Sequence, residues 1–238
     1  METLDFAIEE EIETSENKQQ RDNADEPKYE EVFVKSFKDA VDKIDEEDVF
    51  REDEFNACLL DIDGVIFEDN MVKLPVVSHL SNPRITDNCR NAYNKLINIS
   101  NGNVVISTNR NDREIVIFNS QNVLRQVKKL VNSNEVKIPI FTNLFKQKPG
   151  ITVEDIAQLP QGNNWAEVEI IKPKIDALVH YLGKLATEKE YSTYKLSCIE
   201  DWSIVSLNRK DFLFYVAKQL KQQYGIEIES IRNYVVKR

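Results

Sequence analysis

The sequence feature that most constrains the fold is a short apolar run that ends in two closely spaced acids and a glycine. Residues 57–60 are apolar, and Asp61, Asp63 and Gly64 follow almost directly. Such a run predicts a buried β-strand, and side chains two residues apart in an extended chain point the same way. We therefore expect Asp61 and Asp63 to lie on one side of a strand end, where Gly64 allows a sharp turn. This arrangement is typical of a site in which two carboxylates share one reacting centre.

A calcium-binding loop and a surface turn with solvated acids are the simpler alternatives. If Asp61 and Asp63 were the third and fifth positions of an EF-hand loop, Leu59 and Asn70 would occupy the first and twelfth. That loop needs an Asp or Asn at its first position and a Glu at its twelfth. A solvated turn would suit Gly64 but not the apolar run before it.

The length and the cysteine content narrow the protein class. A chain of 238 residues can bury one sizeable α/β core, and it has neither an apolar stretch of membrane-span length nor a signal-peptide pattern. We expect a cytoplasmic protein without membrane contact. Cys58, Cys89 and Cys198 are odd in number and lack Cys-x-x-Cys spacing, so they predict reduced thiols. His79 and His180 leave little room for histidine metal chemistry.

The negative charge is concentrated near the amino terminus. Residues 1–50 carry 18 acidic and 6 basic side chains, a net charge of −12, whereas the remaining 188 residues carry 23 acidic and 25 basic ones. We expect residues 1–28 to form a disordered acidic arm that could bind a protein partner or simply be solvated. Phe33, Phe37, Val41 and Ile44 recur at helical spacing, which predicts a helix over 30–45 packed on a single domain of residues 29–238.

Beyond residue 60, the pattern predicts alternating strands and helices. Such alternation is typical of an α/β fold, with a doubly wound, mostly parallel sheet and helices on both faces. The predicted helices are 86–98, 112–132, 173–185 and 210–224, and the predicted strands are 103–108, 138–142, 194–200 and 226–231. Ligands bind at the carboxyl ends of the strands in such sheets.

Three further segments should meet the paired acids at that edge. The apolar run 104–106 ends in Ser107, Thr108 and Asn109; Lys172 and Lys174 flank Pro173; and the run 196–199 ends in Glu200 and Asp201. With the first segment, these resemble the four motifs of the haloacid dehalogenase-like (HAD) phosphatase superfamily, in the family's order, over residues 55–235. The resemblance implies a HAD-like Rossmannoid fold, although Val65 stands where many of these phosphatases have Thr.

The resemblance implies a magnesium-dependent phosphomonoester hydrolase that works through an aspartyl-phosphate. By residue-for-residue transfer, Asp61 is the nucleophile, Asp63 the general acid and base, and Thr108 a hydroxyl ligand of the phosphoryl group. Lys172 is the first choice for the charge-neutralising lysine, and Lys174 the alternative. Mg²⁺ would be bound by Asp61, the backbone carbonyl of Asp63, and Asp201.

Several roles stay open at this stage. Glu200 is the alternative to Asp201 as a ligand, Asp211 could be an outer acid, and Asn109 and Arg110 are candidate substrate-binding residues. In the family's sheet, the strands of the first and fourth motifs are neighbours. Because each Cys precedes its Asp by three residues, we expect Cys58 and Cys198 to be level neighbours, with Cα atoms roughly 5 Å apart.

The spacing of the motifs predicts an open active site. The 44 residues between Asp63 and Thr108 are taken up by a flap, a helix and a strand, and residues 143–171 contain Pro149, Gly150, Pro160 and Gly162, so neither segment suits a large cap domain. An open site favours a bulky phosphomonoester, such as a polynucleotide end or a phosphoprotein. Two other functions remain possible: a non-catalytic HAD-fold module that binds protein or nucleic acid, and a receiver-like phosphate acceptor.

Overall fold

The computed structural model describes residues 26–62, 64–67, 85–108, 120–132, 136–141, 172–201 and 209–237. In these ranges the chain forms six strands and five helices. The strands are β1 (Lys28–Val34), β2 (Glu54–Leu60), β3 (Val104–Ser107), β4 (Ile140–Phe141), β5 (Thr193–Asp201) and β6 (Ser230–Val236). The helices are α1 (Phe37–Glu46), α2 (Asp87–Ile99), α3 (Ser120–Asn132), α4 (Lys172–Ala186) and α5 (Arg209–Tyr224).

The six strands form one sheet in the order β1-β6-β5-β2-β3-β4, and every pairing is parallel. Helices α1, α2 and α3 contribute to the apolar core on one face, and α4 and α5 to the core on the other. The predicted α/β class with a doubly wound parallel sheet is therefore confirmed. All the strands point the same way, so the carboxyl ends of β2, β3 and β5 meet at one edge of the sheet.

Strand β2 shows why its sequence is continuously apolar. Cys58 and Leu60 face the core beneath α1, α2 and α3, whereas Ala57 and Leu59 face the core beneath α4 and α5. A strand that is buried on both faces needs apolar side chains at every position, not at alternate ones.

Two helices on the first face begin at side-chain caps. The Ser36 hydroxyl accepts a hydrogen bond from the Asp39 backbone N–H at 3.1 Å, and the Thr86 hydroxyl accepts one from the Cys89 N–H at 3.2 Å. Each cap satisfies one of the N–H groups that the first turn of a helix leaves unpaired. The observed bounds of α2, α4 and α5 lie within one residue of the predicted ones.

The predicted helix over 30–45 is only partly correct. Helix α1 begins at Phe37, and the residues before Ser36 form strand β1, which pairs along its whole length with β6. Val32 and Val34 alternate with the 44% exposed Phe33, the period of a strand with one buried face. The helical spacing in the sequence includes Phe33, but this residue lies in β1, before the helix begins.

The last strand lies further along the chain than predicted. Ile226 and Ile228 are buried in the segment that leads into β6, but they do not belong to that strand. In β6 the apolar pattern is interrupted by Arg232 and Asn233, so the more hydrophobic segment before it was the stronger strand signal.

Other expectations lie outside the described residues, namely those for 1–25, for 112–119 and for 143–171. Within the described ranges, no helix is both long enough and apolar enough to span a bilayer.

Candidate active site

Asp61 lies at the carboxyl end of β2, between β5 and β3. Its backbone N–H donates to the Ile199 carbonyl at 2.9 Å, which continues the sheet ladder past the last residue of β2. Its Oδ1 accepts a hydrogen bond from the Ile62 N–H at 2.7 Å. Leu59, two residues earlier, packs in the core beneath α4 and α5, so the alternation of a strand directs Asp61 to that face.

The register between β2 and β5 corrects one expectation. Leu60 pairs with Ile199, which makes Asp61 level with Glu200 rather than with Asp201. For the same reason Cys58 pairs with Ser197, and Cys198 pairs with Leu59. The expectation that the two cysteines are level is therefore wrong by one residue, and they face opposite cores. The expectation that β2 and β5 are neighbours is confirmed.

Asp201, the last residue of β5, lies against the turn that follows Asp61. Gly64 in this turn has a φ of +77°, and a Cβ built on it would come within 2.6 Å of Asp201 Oδ2. Only glycine allows both the backbone conformation and the close approach of the carboxylate. The glycine of the first motif thus brings Asp201 next to the segment that carries the paired acids.

Glu200 is engaged in the protein interior through both carboxylate oxygens. Oε2 lies 2.7 Å from Arg209 Nε, and Oε1 accepts a hydrogen bond from Asn233 Nδ2. Burial raises the pKa of Glu200 and outweighs the opposite effects of Arg209 and Asn233, so the net shift is upward. A carboxylate whose two oxygens are taken up in this way is a poor metal ligand, so the geometry favours Asp201 over Glu200.

Among the described side chains, Lys174 reaches this edge of the sheet. Its Nζ donates to the Thr108 carbonyl at 2.8 Å, and the residue is only 2% exposed. Burial, followed by the nearby Arg209 charge, lowers the pKa of Lys174 to about 7, whereas Asp61 acts in the opposite direction. Lys172 begins α4, but its side chain lies outside the described residues.

Ser107 is a site residue that the sequence had placed second to Thr108. Leu60 pairs with Ile106, so Ser107 is level with Asp61 and on the same face of the sheet. Its hydroxyl is fully buried and has no hydrogen-bond partner in the described part of the chain. Thr108 uses its N–H for the Phe141 carbonyl at 3.0 Å and its own carbonyl for Lys174. Ser107 could not be preferred from the sequence alone, because the choice depends on the register between β2 and β3.

Arg209, the first residue of α5, is a second buried cation that the sequence did not suggest. Its guanidinium lies 5.4 Å from the centre of the Phe212 ring, and the Lys174 amine lies 5.7 Å from the same ring. Burial tends to lower the pKa of Arg209, but Cys198, Glu200 and Asp61 raise it, and the net shift is upward. In the sequence, Arg209 and Lys210 are adjacent, a pattern typical of two solvent-exposed basic side chains.

The remaining predicted site residues are only partly covered. Asp63, Asn109 and Arg110 lie outside the described residues, and Asp211 lies in the first turn of α5. Within the ranges that the structure covers, no group of three or more His, Cys, Asp or Glu side chains is arranged to hold a metal ion. Of the three expected magnesium ligands, these ranges include Asp61 and Asp201, both at the same edge of the sheet.

Comparison with known proteins assigns no role to any residue of this site. No protein-family model matches the chain, and neither a curated protein nor a solved structure matches it significantly.

Proposed function

We propose that this chain is a magnesium-dependent phosphomonoester hydrolase that works through an aspartyl-phosphate on Asp61. The observation that supports this best is a carboxylate at the end of a central parallel strand together with the buried amine of Lys174, which donates to the Thr108 carbonyl at the end of the neighbouring strand β3. A phosphate ester needs such an arrangement, because an anionic nucleophile must approach an anionic phosphoryl group.

In the first half of the reaction, an Asp61 oxygen attacks the phosphorus in line with the ester oxygen. The new O–P bond forms as the bond to the leaving oxygen breaks, and that oxygen takes a proton from the Asp63 carboxylic acid. The products are the free alcohol, an aspartyl-phosphate and an ionised Asp63. This role of Asp63 rests on its position in the sequence, two residues after Asp61.

In the second half, the ionised Asp63 takes a proton from a water molecule, whose oxygen attacks the phosphorus. The bond between phosphorus and Asp61 breaks, inorganic phosphate leaves, and both acids return to their starting forms. The same residue thus acts first as an acid and then as a base.

Lys174 and Ser107 would hold the phosphoryl oxygens during both halves. The amine offsets negative charge, and the buried Ser107 hydroxyl can donate a hydrogen bond to an oxygen level with Asp61. Binding of a phosphate dianion favours the protonated amine, so substrate binding would restore the charge that burial disfavours on Lys174.

Carboxylate and carbonyl oxygens are the ligands that Mg²⁺ prefers, and Asp61 and Asp201 supply two carboxylates at one edge. With the Asp63 carbonyl, these residues would hold the ion, which when bound would reduce the repulsion between the nucleophile and the phosphate. Asp201 fits this role better than Glu200 because both oxygens of Glu200 are already engaged.

The substrate class follows from the sequence between the motifs. Because neither connecting segment suits a large cap domain, we propose a bulky phosphomonoester, either a polynucleotide end or a phosphoprotein, in preference to a free sugar phosphate. The acidic arm is then a candidate contact for a protein partner.

Hydrolysis of a generic aryl phosphate with and without Mg²⁺ tests the activity. A panel of phosphopeptides, sugar phosphates and 3′- or 5′-phosphorylated oligonucleotides then tests the substrate class. We expect magnesium-dependent release of phosphate by the full chain and none by Asp61→Asn. A non-catalytic binding module would release no phosphate, whereas a receiver-like acceptor would give one burst without turnover. Efficient turnover of small sugar phosphates alone would contradict the open-site proposal.

A further inference from the structure

Arg209 and Glu200 form a buried ion pair on the same face of the sheet as Asp61. The two side chains are only 10% and 4% exposed, and Nε and Oε2 are 2.7 Å apart. Removing two charges from water costs several kcal/mol per ion, roughly, and their attraction often fails to recover it. An apolar pair of similar size would hold α5 to the sheet at least as well, so stability alone gives a weak reason for these charges.

The ion pair is held in place from several directions. Asn233 on β6 donates Nδ2 to Glu200, and the same nitrogen lies 3.0 Å from the Tyr29 hydroxyl on β1. On the other side, the Phe212 ring lies 5.4 Å from the guanidinium of Arg209. Asn233 and Tyr29 thus fix the Glu200 carboxylate, and Glu200 and the Phe212 ring in turn position the guanidinium, as expected of a preorganised binding group.

One polar atom on this face, the Ser107 hydroxyl, is fully buried without a hydrogen bond in the described part of the chain. The Arg209 guanidinium is also buried on this face, and its Nε lies 2.7 Å from the Glu200 carboxylate. Buried polar atoms normally have hydrogen-bond partners. This hydroxyl lies on the same face as Arg209, Lys174 and the Asp61 carboxylate, so a bound anion would give it the hydrogen-bond partner that it lacks.

We propose that Arg209 is a further anion-binding residue of this site and that Glu200 is its positioning residue, not a metal ligand. Arg209 adds a permanent positive charge to that of Lys174, which burial makes easy to lose. Its part in turnover rests on the proposed phosphatase function, but the binding of an anion does not.

Calorimetric titration of the full chain with inorganic phosphate tests the anion site. We expect Arg209→Met to weaken phosphate binding by about tenfold or more, as the loss of a charge-assisted hydrogen bond would. Arg209→Lys should recover part of that loss, because it keeps the charge but not the planar fork.

The double variant Arg209→Met/Glu200→Met separates binding from stability. It removes both charges, so we expect it to unfold at least as high in denaturant as Arg209→Met while still binding phosphate weakly. If the double variant recovered wild-type phosphate affinity, or if the wild-type chain bound no phosphate, the anion-binding role would be refuted.

A titration with Mg²⁺ tests the role of Glu200. We expect Glu200→Gln to keep the magnesium affinity of the wild type and the matched Asp201→Asn to lower it severalfold. An equal loss in Glu200→Gln would make Glu200 a ligand and overturn its assignment. If phosphate binding depends on Arg209 but no phosphomonoester is hydrolysed, the phosphatase proposal fails and the anion site stands. If the chain hydrolyses phosphomonoesters but its phosphate affinity does not depend on Arg209, the phosphatase proposal stands and the anion-binding role of Arg209 fails.

Discussion

Replacing Lys174 with methionine should change how the stability of the fold depends on pH. In the folded chain, burial lowers the pKa of this amine to about 7 from an ordinary value of 10.5. Between those two values the unfolded chain binds more protons than the folded one, so the free energy of unfolding rises with pH. This contribution is lost as the pH falls through about 7. Methionine is similar in shape but cannot titrate, so its variant lacks the contribution.

The expected size follows from the linkage relation. One proton of difference changes the free energy of unfolding by about 1.4 kcal/mol per pH unit. Because the folded-state amine is still half protonated at pH 7, the wild type should gain about 2 kcal/mol relative to Lys174→Met between pH 7 and pH 9. Below about pH 6 both states of the wild type carry the charge, and the two stability curves should run parallel.

Urea unfolding followed by circular dichroism, at each pH and without magnesium or phosphate, measures this difference. Subtracting the free energy of unfolding of the variant from that of the wild type at each pH removes the contributions that other titrating groups make to both proteins. Lys184→Met is a matched control, because Lys184 is exposed on the same helix, and its curve should parallel that of the wild type. Parallel curves for Lys174→Met and wild type over pH 7–9 would show that the amine keeps its proton, which refutes the reasoning.

Three further predictions concern the proposed nucleophile Asp61, the turn at Gly64 and the packing of helix α1. Asp61→Asn should abolish aryl phosphate hydrolysis while leaving the circular dichroism spectrum unchanged, and surviving turnover in clean protein would rule out the aspartyl-phosphate. Gly64→Ala should lower the free energy of unfolding by about 1–2 kcal/mol through its positive φ, and should also weaken magnesium binding by displacing Asp201. An unchanged magnesium titration would mean that Asp201 does not depend on this glycine. Phe37→Ala should cost about 3–5 kcal/mol in denaturant unfolding because Phe37 is fully buried. The exposed Phe33→Ala should cost less than about 1 kcal/mol, and equal losses would contradict the assignment of α1 to the core.

The alternation of strands and helices could be predicted because it depends on local hydrophobic patterns. Strand β2 and helices α2, α4 and α5 each carry a long or periodic apolar signal. Strand β1 was harder, since the spacing from Phe33 to Phe37 fits a helix, and only its pairing with the distant β6 makes residues 28–34 a strand. A partner that lies some two hundred residues away leaves no trace in a local window.

The position of Asp61 at a strand end was predictable, but the arrangement of the side chains around it was not. Asp61 follows from the apolar run before it, whereas the choice between Lys172 and Lys174, or between Ser107 and Thr108, depends on strand register and helix phase. A shift of one residue in register changes the face on which a side chain lies. Arg209 had no signal at all, because the segment that connects it to β5 contains no recognisable pattern and only folding brings it to Asp61.

The pairing of β1 with β6 also has a consequence for the order of folding. Every contact between these strands joins residues near position 30 with residues near position 230, which raises the contact order of the chain and slows its folding. During synthesis, residues 28–34 leave the ribosome long before their sheet neighbour β6 exists. We therefore expect the first strand to be among the last to dock, late in folding, with its backbone amides unprotected from hydrogen exchange until the final residues of the sheet are in place.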